Sequence, residues 1–526
     1  MKNFLFTLLT AWLCLCMNSY AQMVPGTMAN LKLGNQNYVK NNMMPSQIVG
    51  SDESGIYMTK VKLKHEIRAA NSFPILEHYN DQMVLTKFRE LKVDNTETAP
   101  YFEGIIELDN QLFCFYSITD RSSKSKTLMA QKINKNSLSL ENEIIHLQSV
   151  SFKGMPVYQS PEFHFKLSPN RRNLLISSPK PVDKKPVQEF LISVFDKDLS
   201  EIWTKEISSP FEKGRFSIEN YHISNEANAY ILAKTVKNAN DLDSFWASDY
   251  AYQILQINKN EKDHQLIQPA IKGKFLSKMQ IASRPNGDLL CAGFYVDQIN
   301  TDQTGSYFLT LSAENGKISH SDFQAFTPEQ NEMDDRRQND PQRIFTYTLK
   351  DLVIRNDGSS VLMGEQATYT SGNNPRNNIP GSRMSFNNIA VISIAPEGKI
   401  LWTQEIQKNQ VSSGGFSFFS SFAQAIMHDK IYLVFNDHPE NLCEGTCKPV
   451  RFNPKSIKKE VLITLVELDW HGSITKRALP FSKNINILTK PDACQQVSKN
   501  EMVILGQDNN SYQMAKLEFE KTFAYQ

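Results

Sequence analysis

A polar pair or triplet leading straight into a β-rich run recurs along this chain. It occurs in "SDESGIYMTKV" at Ser54, "ELDNQLFCFYS" at Asp109, "SPNRRNLLISS" at Asn170 and "SNEANAYILAKT" at Ala227. It returns in "RPNGDLLCAGF" at Gly287, "RNDGSSVLMGE" at Gly358, "MHDKIYLVFND" at Asp429 and "SKNEMVILGQD" at Lys499. Successive signals are 55, 61, 57, 60, 71, 71 and 70 residues apart. A repeat of this length overrides the two to four domains that chain length alone suggests, because each unit must bury its faces against its neighbours. A second family of turns lies between the first: "QKINKNSLS", "SVFDKDLSEIW", "LQINKNEKD", "LSAENGKIS", "SIAPEGKILW" and "ELDWHGSIT".

Each unit therefore reads strand, polar turn, strand, variable loop, strand, turn, strand. β-Branched and aromatic residues alternate between Asn, Asp and Gly, as hairpins require. Four-stranded units at this spacing predict an all-β chain folded as a β-propeller. Eight start signals favour eight blades, with seven the alternative because the first and last units are irregular. A pair of β-sandwiches fits the regular spacing less well. Pro169, Pro285 and Pro396 all fall in turns, where no ladder bond is lost. "EIWTKEISSPFEKGRFS" (201–217) and "ILWTQEIQKNQVSSGGFS" (400–417) share Trp-Thr-x-Glu-Ile and a later Phe-Ser. Trp203 and Trp402 are accordingly expected to be structural, wedged between blades.

"APEGKILW" (395–402) resembles the tryptophan-bearing turn of pyrroloquinoline-quinone-type propeller repeats, and "RPNGDLL" and "RNDGSSVL" resemble generic propeller strand starts. Only two units carry the tryptophan. In that class the motif packs blades together in enzymes and scaffolds alike, so the resemblance implies a fold and no activity. The chain also resembles exported propellers of Gram-negative bacteria.

The N-terminus supplies an address. "MKNFLFTLLTAWLCLCMNSYAQ" has Lys2, an apolar core and Ser19-Tyr20-Ala21, which predicts cleavage of a signal peptide, residues 1–21. Its apolar run is short for a membrane span, and no later stretch reaches spanning length. The expected division is a signal peptide (1–21), an N-terminal extension able to supply a blade-closing strand (22–45) and a single propeller domain (46–526). The expected location is periplasmic, cell-surface or extracellular. With 57 basic and 56 acidic side chains the net charge is +1, and no strong field draws the chain to nucleic acid.

Outside the signal, Cys114 and Cys291 sit in apolar runs as small hydrophobes. Cys443 and Cys447 in "LCEGTCKP" are the pair able to close a short disulfide, with Cys494 left as a thiol. No HExxH, HxH, GxSxG or phosphate-binding glycine loop occurs, so no metal, cofactor or catalytic residue is assigned. Candidate ligand contacts are therefore sought in loops and channel positions. Trp246 and Tyr250 lie in one aromatic-rich loop, and Tyr369, Arg376 and Arg383 in a long Asn/Gly/Pro-rich insertion, 367–388. His164 and His222 each precede a starting turn and are expected to face the channel. These features predict an exported non-catalytic scaffold that binds a protein, peptide or glycan through face loops. The alternative is an envelope enzyme, hydrolase, lyase or quinoprotein-like, with its site in the central channel. No oligomeric state is specified by these features.

Overall fold

In the strand Leu289–Val296 every side chain is buried, and successive residues leave opposite faces. Leu289, Cys291 and Tyr295 join one apolar cluster, while Leu290, Ala292 and Phe294 join the next. A sheet buried on both faces must be stacked between two others, and this requirement organises the whole molecule. The structure, a computed structural model, describes residues 21–519. Not included are 24–28, 40–42, 63–72, 94–97, 155–159, 181–186, 213, 237–249, 262–263, 299–300, 328–345, 374–379, 414–415, 428, 443–448, 455–460, 481–486 and 509. For 21–23, 370–373 and 380–382 the backbone alone is described.

Eight antiparallel sheets follow one another along the chain, five of four strands, two of five and one of six. Blades 1 to 7 span 43–90, 101–151, 164–212, 216–267, 275–325, 347–413 and 423–478. Blade 8 (488–519) takes its fourth strand from the other end of the chain, Ala29–Tyr38, which pairs with Ser511–Phe519. Eight principal apolar clusters each join one blade to the next, from blades 1 and 2 round to blades 8 and 1. The ring is closed: this is an eight-bladed β-propeller.

Each start signal of the sequence is the turn between the first and second strands of a blade. Asp109, Asn110, Arg171 and Ala227 take positive φ there, as do Gly287 and Gly358. The second family of turns joins third to fourth strands. Both kinds lie on one face of the ring, the turn face. The second-to-third loops and the connections between blades lie on the other, the loop face. On that face the blade 6 hairpin, Ser360–Asn373 with Pro380–Ile394, is the longest among the described residues and carries the extra strand Gln410–Ser413. Among the described residues, no helix is long and apolar enough to cross a membrane.

First strands line the channel, and several are irregular. β-Bulges interrupt the pairing at Phe102/Gly104, Ile218/Asn220, Leu276/Lys278 and Leu349/Asp351. The skipped residues are Glu103, Glu219, Ser277 and Lys350, all polar. A bulge re-aims its extra side chain out of the alternating pattern.

Candidate functional site in the central channel

A cavity of 1020 Å³ lies between the first strands of blades 6 and 7 and residues 491–500 of blade 8. Lys350, Asp351, Gln424 and Asp492 line one end, and Arg355 and Asp429 the end nearer the turn face. The wall thus presents both signs of charge beside apolar surface from Val353, Phe422 and Ile426. Burial pushes the Asp351 carboxyl above its ordinary value, against a backbone bond from Leu352 and the amide of Gln424, whose Nε2 donates to Oδ2 at 2.9 Å. Gln424 Oε1 is buried and has no hydrogen-bond partner among the described residues.

The bulged residue Lys350 anchors a polar chain that runs from the cavity into the protein. Its Nζ lies 3.3 Å from Asp492 Oδ1 and 3.3 Å from Ser421 Oγ, and 5.7 Å from the Phe422 ring centre. Ser421, held at φ 72°, donates its hydroxyl to Glu365 Oε2 at 2.6 Å. A left-handed serine is a strained residue that its surroundings must hold in place. Glu365 Oε1 takes the ammonium of Lys408 at 2.6 Å, and Lys408 also reaches Gln410 Oε1 at 2.9 Å. The Lys408 side chain is 0% exposed and that of Glu365 5%. Burial pulls the Lys408 pKa down while Glu365 pulls it back up. Gln410 continues the chain, accepting from Ser421 N–H and donating to Asn436 O at 2.8 Å each. Asn436 in turn exchanges bonds with the backbone of Thr489 in blade 8. One network therefore ties blades 6, 7 and 8 together behind the cavity wall.

The residues singled out from sequence are dispersed around this site. Tyr250 begins a strand of blade 4 at the loop face, with Lys234 Nζ 4.1 Å from its ring centre, and burial pushes its hydroxyl up to about 12. Tyr369 and Arg383 are exposed on the long blade 6 hairpin. His164 and His222 do not share a site. The His164 ring stacks on Tyr221 of blade 4, whereas buried His222 pairs through Nε2 with Ser283 Oγ of blade 5 at 2.9 Å. Burial, then Lys166, drives the His222 pKa down to about 3. Trp203 is buried in the blade 3–4 seam and donates to Ala227 O at 2.8 Å; half-buried Trp402 donates to Trp470 O of blade 7 at 2.9 Å. Trp246, Arg376, Cys443 and Cys447 lie outside the described residues. Cys114 and Cys291 are buried free thiols, and Cys494 is a free thiol at the cavity wall.

Lys350, Ser421, Glu365 and Lys408 were missed by sequence reasoning. The available signal was the repeat itself: aligning Trp203 with Trp402 sets Ser209 against Lys408 and Phe211 against Gln410. Elsewhere, Asp81, Glu501 and Glu518 are the one acidic trio among the described residues with metal-like spacing. It already surrounds the ammonium of Lys516, which reaches Glu501 at 3.0 Å and Glu518 at 2.9 Å and also pairs with Asp81. The positive charge those acids need is covalently supplied.

No family model matches the chain, and no curated protein does. Solved structures do. The WD40 domain of SCAP from fission yeast aligns at 9% identity and TM-score 0.42, over 95% of this chain and 97% of that one. A Synechocystis apocarotenoid oxygenase mutant aligns at 10% identity and TM-score 0.37, over 92% and 93%. The β-propeller domain of the Trilobed protease from Pyrococcus furiosus aligns at 8% identity and TM-score 0.35, over 82% and 97%. The blade count and ring closure given above rest on the strand pairing itself.

Proposed function

We propose that this protein is an exported binding scaffold. Its ligand enters the channel beside blades 6–8 from the loop face, where the long blade 6 hairpin stands. The cavity carries this reading. It is large enough for a small ligand, is lined by convergent groups of both charges, and is backed by a network that fixes Lys350 and Ser421. Export is read from residues 1–21 alone, and N-terminal sequencing of the secreted protein should find Gln22 first.

Binding fits better than catalysis because the hydroxyl–imidazole pairs are unsuited to nucleophilic attack. Ser54 Oγ lies 3.0 Å from His78 Nε2, but it is 2.5 Å from Asp52 Oδ1, which competes for the same proton. Thr86 Oγ1, 2.6 Å from His78 Nδ1, donates to His78 O at 3.0 Å, and Ser283 beside His222 is closed off by the burial of that imidazole. The test is ligand-observed NMR of the mature chain with peptide and oligosaccharide mixtures. Gln424→Trp, which fills the cavity wall, should erase the signals. Signals that survive Gln424→Trp and vanish on shortening 237–249 would move the site to the face loops.

A further inference from the structure

The cavity's own contacts resemble those of a bound peptide. In blade 7 the first strand, Ala423–Met427, pairs on one side only, and its other edge faces the channel. At Ile426 that edge is taken by a side chain. The carboxamide of Gln496 donates to Ile426 O at 3.0 Å and accepts from Ile426 N–H at 3.0 Å. A planar amide giving one donor and one acceptor to a single strand residue makes the contact that a peptide unit of an added strand would make. Two residues earlier, Gln424 presents its main-chain N–H and C=O to the same edge, by the two-residue period of a strand. Among the described residues neither group bonds outside the strand pairing of its own sheet, and the side chain's Oε1 is buried without a partner.

Beside this edge sits the unpaired bulge residue Lys350. Its ion-pair partner Asp492 has a side chain 75% exposed, at 3.3 Å. An ion pair so open to water is weak, and a carboxylate brought in by a ligand can replace it. Ser421, held by Glu365, keeps the ammonium turned toward the cavity. Resting on the channel-binding reading above, we infer that the cavity takes an extended peptide. Its backbone pairs with the Gln424 edge of blade 7, and its free C-terminal carboxylate displaces Asp492 from Lys350.

The probe is a degenerate octapeptide mixture, synthesised once with free C-terminal carboxylates and once with C-terminal amides. Retention on the immobilised mature protein is quantified by mass spectrometry. The acid pool should be retained at least ten-fold more strongly than the amide pool. Lys350→Met should remove that preference, and Lys350→Arg should restore it, with both variants melting as wild type does. Equal retention of the two pools by wild type would overturn the assignment. So would a wild-type preference in a folded Lys350→Met protein. If neither pool is retained but an oligosaccharide mixture is, and Gln424→Trp abolishes that retention, the peptide assignment falls while the channel reading stands. If Gln424→Trp leaves retention of every probe unchanged, the channel reading falls with it.

Discussion

The seams after blades 3 and 6 begin with the same words and end in different chemistry. Both start with Trp-Thr-x-Glu-Ile in a fourth strand, and both tryptophans cap a main-chain carbonyl of the following blade. In blade 3 the strand spans Glu201 to Glu212, though its pairing with the third strand skips Ser209–Phe211, and Ser209 and Phe211 are buried there. In blade 6 it stops at Ile406, and Lys408 turns into the protein before Gln410–Ser413 resumes pairing on the long hairpin. Where the first seam holds a small hydroxyl and a phenyl ring, the second holds an ammonium and an amide. A packed apolar seam needs only volume. A buried ion pair costs desolvation that a hydrophobic pair of similar size would avoid, so its presence at the cavity wall points to a role in placing Ser421 and Lys350.

The largest expected effect is at that pair. Lys408→Met leaves Glu365 buried without its cation and should cost about 3–5 kcal/mol, read from denaturant melts. The tryptophans sharpen the contrast. Trp203→Ala should cost about 3 kcal/mol, because a buried ring leaves a cavity, while Trp402→Ala, half in solvent, should cost about half as much. Equal losses would mean that the two seams pack alike despite their different burial.

Acid separates the apolar side of the ring from the polar side. His222 is held neutral in the blade 4–5 seam, with its pKa lowered from 6.5 to about 3. Between those values the unfolded chain binds a proton that the folded chain excludes. This part of the stability is therefore intact above about pH 6.5 and is lost as the pH falls toward 3. Melting temperatures at pH 7.5 and 4.5 should differ less for His222→Gln than for wild type. The smallest effect is expected at the hairpin tip. Deleting 374–379 changes closure entropy by no more than about 0.6 kcal/mol, so its melt should overlay wild type.

The ring was legible because turns have local chemistry. Each of the eight start signals lies at a first hairpin turn, where residues such as Asp109, Asn110 and Gly358 supply the positive φ that the turn demands. The site was less legible because its residues are made special by the absence of local rules. "TYTLKDLVI" reads as an ordinary alternating strand, and Lys350 becomes a channel residue only when the next strand skips it. "QKNQ" reads as a solvated connector, and only tertiary packing reveals that Lys408 is fully buried. His164 and His222 look alike in sequence, yet each points to the blade after its own, so similar local settings do not bring them together.

Removing both charges of the polar seam decides whether it exists for the cavity or for the fold. The double variant Lys408→Met with Glu365→Leu removes both charges together, which should leave stability within about 1–2 kcal/mol of wild type. With Ser421 and Lys350 no longer held, retention of the free-carboxylate octapeptide pool by this folded variant should fall at least ten-fold. A double variant that melts like wild type and retains the pool like wild type would contradict the account.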